Sequence, residues 1–155
     1  MLSPLIFSLP DETVTRRLGQ ALAARSRPGD VIALHGGLGA GKTTLARAFI
    51  RALTDPDEEV PSPTFTLVQI YEARVGPVWH FDLYRLTHPD DAIELDIDDA
   101  FADGISLIEW PERLGTLLPA RRLDLRLEEA DPPGTRRALL TPSPVWASRL
   151  GDLIL

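Results

Sequence analysis

One octapeptide constrains the fold of this chain more than any other feature. Residues 36–43 read Gly-Gly-Leu-Gly-Ala-Gly-Lys-Thr, which fits the phosphate-binding loop pattern G-x-x-x-x-G-K-[ST]. Its glycines let backbone N–H groups point inward at a phosphate, and Thr43 adds a hydroxyl suited to Mg²⁺. Lys42 is the only lysine of the chain, which has fifteen arginines. A compact ammonium fits beside the β and γ phosphates of a nucleotide, where a planar guanidinium does not.

The residues around the octapeptide predict the strand and the helix that such a loop joins. Val31–Leu34 is a continuous apolar run, typical of a strand buried on both faces of a parallel sheet. After the loop, apolar residues recur at helical spacing: Leu45, Phe49, Ala52 and Leu53. The helix N-terminus then points its positive end at phosphate. A glycine-rich turn before an ordinary helix is the alternative, and the agreement of pattern, flanks and lone lysine argues against it.

Length and composition narrow the class of protein. A chain of 155 residues predicts one domain spanning residues 1–155. Cysteine is absent, which excludes disulfides, cysteine zinc clusters and a thiol nucleophile. The start, Met1–Phe7, has no basic region, and no apolar run approaches the length of about 18 residues that a membrane span needs. We therefore expect a soluble, cytoplasmic protein that does not associate with a membrane.

The negative charge of the chain is concentrated in one segment. The net charge is −7, and residues 90–103 hold seven acids and no base, so the remainder is balanced. A protein that grips nucleic acid alone shows a basic stripe, and this sequence has none. Two interpretations of the acidic segment stay open: a solvated face on one or two short helices, or a docking surface for a basic partner.

The complete pattern predicts an α/β fold: a P-loop NTPase-like domain with a mostly parallel central sheet, antiparallel hairpin additions and helices on both faces. Alternation and turn residues outline the segments beside the phosphate loop. These are Leu5–Leu9 (edge strand), a helix opening at Pro10–Glu12, Thr54–Thr64 (irregular loop), Thr66–Tyr71 with Pro77–Phe81 (a hairpin joined by Glu72–Gly76), and Leu123–Glu128 with Arg136–Leu140 (a hairpin turning at Pro132–Gly134).

Two short apolar runs end in a carboxylate. Val78–Asp82 and Ile105–Glu109 have the pattern of strands that deliver an acid to the carboxyl edge of a sheet, where ligands bind in open α/β folds. A phosphate loop needs such carboxylates for its metal ion and for the attacking water. The second run is the stronger Walker-B candidate, and Asp82 alone is as well explained by a structural role. His80 is interpreted as a buried, satisfied strand residue rather than a base.

Four signatures then appear in order along the chain. They are Gly36–Thr44, Ser62–Phe65, His80–Arg85 (His-Phe-Asp-Leu-Tyr-Arg) and Glu109–Pro111. Together they closely resemble the TsaE (YjeE) family, the small ATPases of bacterial tRNA threonylcarbamoyladenosine synthesis, over residues 5 to 140. One departure is Gly37, where relatives often have an acid. We expect it to loosen the loop slightly without removing a ligand.

The resemblance implies a function and its partners. Members of this family bind ATP and Mg²⁺, hydrolyse ATP slowly alone, and work with the TsaB and TsaD proteins. The TsaE-like component resets that complex between turnovers, and tRNA is contacted only through the partners. The absence of a basic stripe agrees with this division of labour.

The resemblance also assigns roles to residues. Lys42, Asp82 and Thr64 are the expected catalytic residues, with Ser62 beside Thr64 in a loop placed to sense the γ-phosphate. Thr43, Glu109 and Asp82 are the expected Mg²⁺ ligands, Asp82 through water or as the group that orients the attacking water. Trp110 either packs near the nucleotide or belongs to the core. The residues expected at the nucleotide are Glu12, Leu38, Gly39, Ala40, Gly41, Lys42, Thr43, Thr44, Glu112 and Arg136.

Other nucleotide-binding classes share a phosphate loop but differ in the residues around it. A GTPase needs an Asn-Lys-x-Asp guanine motif, which a chain with one lysine cannot supply. A small-molecule kinase remains an alternative, with Arg121–Arg122 and Arg136–Arg137 as the basic lid. A nucleotide-gated binding module with incidental hydrolysis is the third possibility.

Overall fold

A computed structural model describes residues 4–155. Met1–Ser3 lie outside the described residues, as does that part of the expectation about Met1–Phe7. Strands and helices alternate except at two hairpins, and the order strand, glycine loop, helix of a phosphate-loop fold is present. The strands are β1 (Leu5–Leu9), β2 (Val31–His35), β3 (Val68–Ala73), β4 (Gly76–Asp82), β5 (Ile105–Glu109), β6 (Arg122–Ala130) and β7 (Thr135–Pro142). The helices are α1 (Glu12–Arg25), α2 (Lys42–Leu53), α3 (Ile97–Asp103) and α4 (Pro144–Leu150), with 3₁₀ segments at Pro89–Leu95 and Pro111–Leu117.

The strands form one sheet of seven in the order β1-β7-β6-β2-β5-β4-β3. Its four central strands, β6, β2, β5 and β4, are mutually parallel. Antiparallel pairs complete both sides: β7 and β1 beside β6, and β3 beside β4. The predicted parallel sheet with hairpin additions is confirmed, and β1 is the edge strand that the sequence predicts.

Helices cover both faces of the sheet because the central strands are apolar on both faces. In β2, Ile32 and Leu34 face a cluster that includes Leu45 and Phe49 of α2, while Val31 faces a cluster that includes α3. All five of these side chains are fully buried. The continuous apolar run of β2 is thus buried on both sides, as expected for the centre of a parallel sheet.

A close helix contact positions α2 beneath the sheet edge. Gly19 of α1 lies against the backbone of α2, where an added Cβ would come within 2.7 Å of the Leu45 carbonyl oxygen. Asp11 caps α1 by accepting a hydrogen bond from the Val14 N–H at 3.1 Å. This start of α1 brings Glu12 close to the phosphate-binding loop.

The first hairpin is tighter than the sequence predicts. The β3–β4 ladder includes Glu72 opposite Pro77 and Ala73 opposite Gly76, which leaves a two-residue turn where Glu72–Gly76 was expected to be a loop. The expected start at Thr66 is also wrong. Leu67 has φ = 68°, a left-handed conformation that breaks an extended strand, so β3 begins at Val68.

The second hairpin follows the prediction, and the acidic segment is exposed. β6 and β7 pair antiparallel across the turn that contains Gly134. The seven acids of residues 90–103 are all exposed, on the Pro89–Leu95 segment, on α3 and at Asp96 between them. Among residues 4–155, no helix is both long and apolar enough to cross a membrane.

Candidate nucleotide site

The phosphate-binding loop lies between β2 and α2, at the carboxyl edge of the parallel strands. Gly36 follows β2 so closely packed that an added Cβ would lie 2.8 Å from the Leu127 carbonyl oxygen. Gly39 and Gly41 have φ of 78° and 100°, a backbone conformation that residues with a Cβ rarely adopt. Gly37 has open space around it, so a residue with a side chain would fit there. Three of the loop glycines are thus required by geometry, and Gly37 is not.

The start of α2 leaves backbone donors free for a ligand. Its N-cap is Gly41, and no side chain accepts a hydrogen bond at this end. The first N–H groups of a helix have no partner inside the helix, and they carry the positive end of its dipole. An uncapped helix N-terminus preceded by glycines forms an anion site for phosphate.

The Lys42 side chain is buried and held at this loop. Its Nζ donates to the Gly36 carbonyl oxygen at 2.7 Å and lies 3.8 Å from the centroid of the Trp110 ring. Burial lowers the pKa of Lys42 from its ordinary value, while the negative charges of Glu109, Asp82 and Glu112 oppose that shift. The ammonium is therefore desolvated, and a phosphate oxygen would replace its carbonyl partner.

The two predicted carboxylates lie side by side. Asp82 and Glu109 are register partners at the ends of the parallel strands β4 and β5. The Thr43 hydroxyl donates to Glu109 Oε1 over a long 3.5 Å, so a loop hydroxyl and a strand carboxylate face each other. Both acids are buried, with 6% of Asp82 and 3% of Glu109 exposed. The parallel register, which the sequence does not show, brings them together.

The expected sensing loop is joined directly to Asp82. Thr64 Oγ1 donates to Asp82 Oδ2 at 3.2 Å, and Ser62 Oγ lies 2.8 Å from Thr64 Oγ1. On the other side, the Tyr84 N–H donates to Asp82 Oδ1 at 3.1 Å. A ligand that contacts Thr64 would therefore perturb Asp82 directly.

Two arginines of α2 attach the preceding loop to this helix. Arg47 Nε donates to the Val60 carbonyl oxygen at 2.9 Å, and Arg51 Nε donates to the Glu58 carbonyl oxygen at 3.0 Å. Both line a groove of about 370 Å³ between α1 and α2, which adjoins the phosphate-binding loop. These bonds account for the arginines structurally, so we assign the chemistry to the loop and not to this groove.

The second hairpin forms one wall of the site. β6 pairs with β2 only as far as Arg126, whereas its pairing with β7 continues to Ala130 beyond the end of β2. Arg136 on β7 reaches back across the loop, and its Nη2 donates to the Gly39 carbonyl oxygen at 3.0 Å. An arginine from the hairpin thus lies over the loop that is expected to hold phosphates.

These elements enclose a cleft of about 340 Å³. All of the predicted site residues line it except Glu112, an exposed residue that acts on Lys42 only as a nearby negative charge. Trp110 also lines the cleft, which settles its position beside Lys42. The cleft is lined by Glu12, Leu38, Gly39, Ala40, Gly41, Lys42, Thr43, Thr44, Ser62, Thr64, Asp82, Glu109, Trp110 and Arg136.

Two site contacts were not predicted from the sequence. His80 is buried as expected, but its partner is Glu109, with His80 Nε2 only 2.7 Å from Glu109 Oε2. Tyr84, known from the sequence only as part of a signature, packs on Trp110 with ring centroids 4.9 Å apart. Alternation along the paired strands β4 and β5 places His80 and Glu109 on the same face of the sheet. This contact is therefore predictable only when the pairing of the two strands is known.

The proposed basic lid is only half present. Arg122 pairs with Val31 at the amino end of β2, and Arg121 donates to the Phe101 carbonyl oxygen at 2.6 Å. Both therefore lie at the sheet edge opposite the cleft, so this pair does not form a lid. Arg136 reaches the cleft, while Arg137 is paired with Glu128 at 2.9 Å.

The residues present fit Mg²⁺ bound together with a nucleotide. Mg²⁺ prefers oxygen ligands and is usually held by one or two protein groups plus phosphates and water. Thr43 and Glu109 provide a hydroxyl and a carboxylate facing each other, and Asp82 lies beside them. Within residues 4–155 there is no cluster of three histidine or acidic residues that would hold a metal ion without a nucleotide. The donor set therefore fits a shared metal–phosphate site.

Comparisons with known proteins agree on one family. The sequence model described as "Threonylcarbamoyl adenosine biosynthesis protein TsaE" matches residues 9–138 of this chain. A Rickettsia conorii protein named "tRNA threonylcarbamoyladenosine biosynthesis protein TsaE" is 37% identical over 124 residues, covering 80% of this chain and 71% of the relative. A Bacillus subtilis protein of the same name is 38% identical over 122 residues, covering 78% and 74%.

A solved structure supports the same relationship. The crystal structure of Bacillus subtilis YdiB superimposes with a TM-score of 0.74 at 29% sequence identity. The match covers 92% of this chain and 87% of that one. The sheet and helices described above are thus shared with a solved relative.

Proposed function

Because this chain belongs to the TsaE family, we propose that it is a Mg²⁺-dependent ATPase that supports tRNA threonylcarbamoyladenosine formation by resetting a TsaB–TsaD-like complex. One observation carries the ATPase part. A buried lone lysine, an uncapped helix N-terminus and two strand-end carboxylates converge in one cleft. The resetting role and the partners rest on the family resemblance. The cytoplasmic location expected from the sequence stays a prediction.

Each residue of the cleft has a part in this proposal. The N–H groups of residues 38–42 hold the phosphates, and Lys42 neutralises the β and γ oxygens. Thr43 and Glu109 would hold Mg²⁺, which would supply positive charge to the bound phosphates. Asp82 orients the attacking water, and Thr64, bonded to Asp82, responds to the γ-phosphate. Arg136 adds a cation from the opposite wall.

The direct test is reconstitution. ATP hydrolysis is measured for this chain alone and with a TsaB–TsaD-like complex, and threonylcarbamoyladenosine formation on tRNA is measured with and without the chain. We expect slow hydrolysis alone, faster hydrolysis with the complex, and repeated rounds of modification only when the chain is present. If modification proceeds equally without it, the resetting role is wrong.

The same experiment separates the alternatives. A small-molecule kinase would transfer phosphate to an added acceptor instead of releasing it to water. A nucleotide-gated binding module would bind the complex in an ATP-dependent manner with no gain in turnover. Arg121 and Arg122 lie away from the cleft. The kinase alternative therefore lacks half of the basic lid that it needs.

The acidic segment gives a prediction about docking. Asp96, Asp98 and Asp99 are exposed, and none forms an ion pair within residues 4–155. If they face a basic partner, replacing all three with asparagine lowers partner-stimulated turnover and leaves the slow basal rate unchanged. The stimulation of the wild type also declines as salt passes about 0.1 M, because exposed charges are then screened. Equal stimulation of the triple variant and wild type at low and moderate salt would leave these acids as solvated surface.

A further inference from the structure

His80 is the one buried histidine at the candidate metal site. Its side chain is 0% exposed, and Nε2 lies 2.7 Å from Oε2 of Glu109, itself 3% exposed. The pair joins neighbouring parallel strands, because His80 lies on β4 and Glu109 on β5. Asp82, two residues after His80, is the register partner of the same glutamate.

Among the described residues, Glu109 is the only hydrogen-bond partner of the His80 ring. On its face of the sheet, Val78 precedes it on β4 and Leu107 is its register partner on β5, while Gln69, its register partner on β3, donates to Thr66 instead. The other ring nitrogen, Nδ1, is buried without a hydrogen-bond partner among the described residues. A carboxylate oxygen can only accept, so Nε2 is the donor of the hydrogen bond to Glu109. Burying a polar ring is costly unless it is hydrogen-bonded, so the bond to Glu109 offsets part of the cost of burying His80.

This hydrogen bond determines which oxygen of Glu109 remains available. Oε2 is occupied by His80, while Oε1 faces the Thr43 hydroxyl at 3.5 Å. Asp82 is held differently, by Tyr84 N–H and Thr64. His80 is thus the short-range donor that orients Glu109, and the loop hydroxyl lies on the opposite side of that carboxylate.

We propose that His80 is a positioning residue of the Mg²⁺ site: it holds the Glu109 carboxylate with Oε1 directed at Thr43. The proposal rests on the proposed function, because it concerns how the same site binds Mg²⁺ with a nucleotide. Partners that orient a metal ligand are typically worth 10–100-fold, roughly, in metal affinity. The imidazole itself does not contact the nucleotide or the metal ion.

The test compares three variants by nucleotide affinity. His80→Leu fills similar space without a donor, whereas His80→Gln carries an amide N–H that reaches about as far as Nε2. His80→Asn is polar but shorter, and it replaces the leucine variant if that variant does not fold. The affinity for ADP is measured by calorimetry without metal ion and across a Mg²⁺ titration, with the thermal midpoint as the check on folding.

We expect all folded variants to bind metal-free ADP as the wild type does. The Mg²⁺ concentration for half-maximal gain in affinity rises about tenfold or more in His80→Leu and returns towards the wild-type value in His80→Gln. A wild-type Mg²⁺ response in a folded His80→Leu or His80→Asn protein would overturn the proposal. So would an equal loss of metal-free ADP binding in the leucine and glutamine variants, which indicates a purely structural role. Failure of the wild type itself to respond to Mg²⁺ would instead contradict the proposed function.

Discussion

Lys42→Ala abolishes ATP turnover and sharply weakens nucleotide binding: this is the largest effect that we expect from one substitution. The Lys42 ammonium is buried between the Gly36 carbonyl oxygen and the Trp110 ring, so no water-exposed cation can replace it. Losing a fixed electrostatic donor typically lowers turnover by roughly 10²–10³-fold, and this donor carries a full charge. Turnover and ADP affinity are measured together with the thermal midpoint, to show that the variant is folded.

One further variant tests this prediction, and a second serves as its control. Lys42→Arg keeps the charge but also fails, because a planar guanidinium is too broad for the space beside the loop. Arg17→Ala serves as the matched control, since it removes a cation from an exposed position of α1 that does not line the cleft. Normal turnover in folded Lys42→Ala would contradict the assignment of this loop as a nucleotide site.

Asp82→Ala and Glu109→Ala are expected to fail in different ways, although the two residues are neighbours. Asp82 is bonded to Thr64 of the sensing loop, which suits a group that orients water, so its loss lowers hydrolysis by roughly 10²–10⁴-fold while ATP binding persists. Glu109 faces Thr43, which suits a metal ligand, so its loss raises the Mg²⁺ concentration needed for half-maximal activity. Hydrolysis rates at saturating ATP and Mg²⁺ titrations distinguish the two effects.

Isosteric amides provide the controls for this pair. Asp82→Asn and Glu109→Gln keep the size of each side chain and remove its charge, so they separate lost chemistry from lost packing at two buried positions. We expect each amide to reproduce the defect of its alanine counterpart. If both alanine variants lose nucleotide affinity to the same degree, the proposed division of labour between Asp82 and Glu109 is wrong.

Local patterns were sufficient for much of the fold. The run Val31–Leu34 and the glycine loop after it predict a buried strand, a tight turn and a helix, each from residues within one element. The same holds for the second hairpin, whose alternating leucines and turn residues lie close together in the chain. The first hairpin differs from the prediction at its start, because Leu67 adopts a left-handed conformation that the residue types there do not indicate, and at its turn, which is only two residues long.

Contacts between distant residues were harder to foresee. His80 was predicted to be buried, but its partner Glu109 lies 29 positions away on another strand. Thr64 and Asp82 were both expected at the site, and only the folded loop shows that they share a hydrogen bond. The sequence allows Arg121 and Arg122 to form a lid, but the direction of β6 puts them at the opposite edge of the sheet.

The sequence by itself determined the kind of site: the loop glycines, Lys42 and Thr43 are contiguous, and their chemistry follows from backbone freedom and side-chain type alone. It also determined that β4 and β5 each end in an acid. Tertiary structure alone decided which acids meet, which oxygen of Glu109 faces Thr43, and which arginine lies over the loop. The physical reason is that strand register and crossover direction depend on packing of the whole sheet. No single segment carries that information.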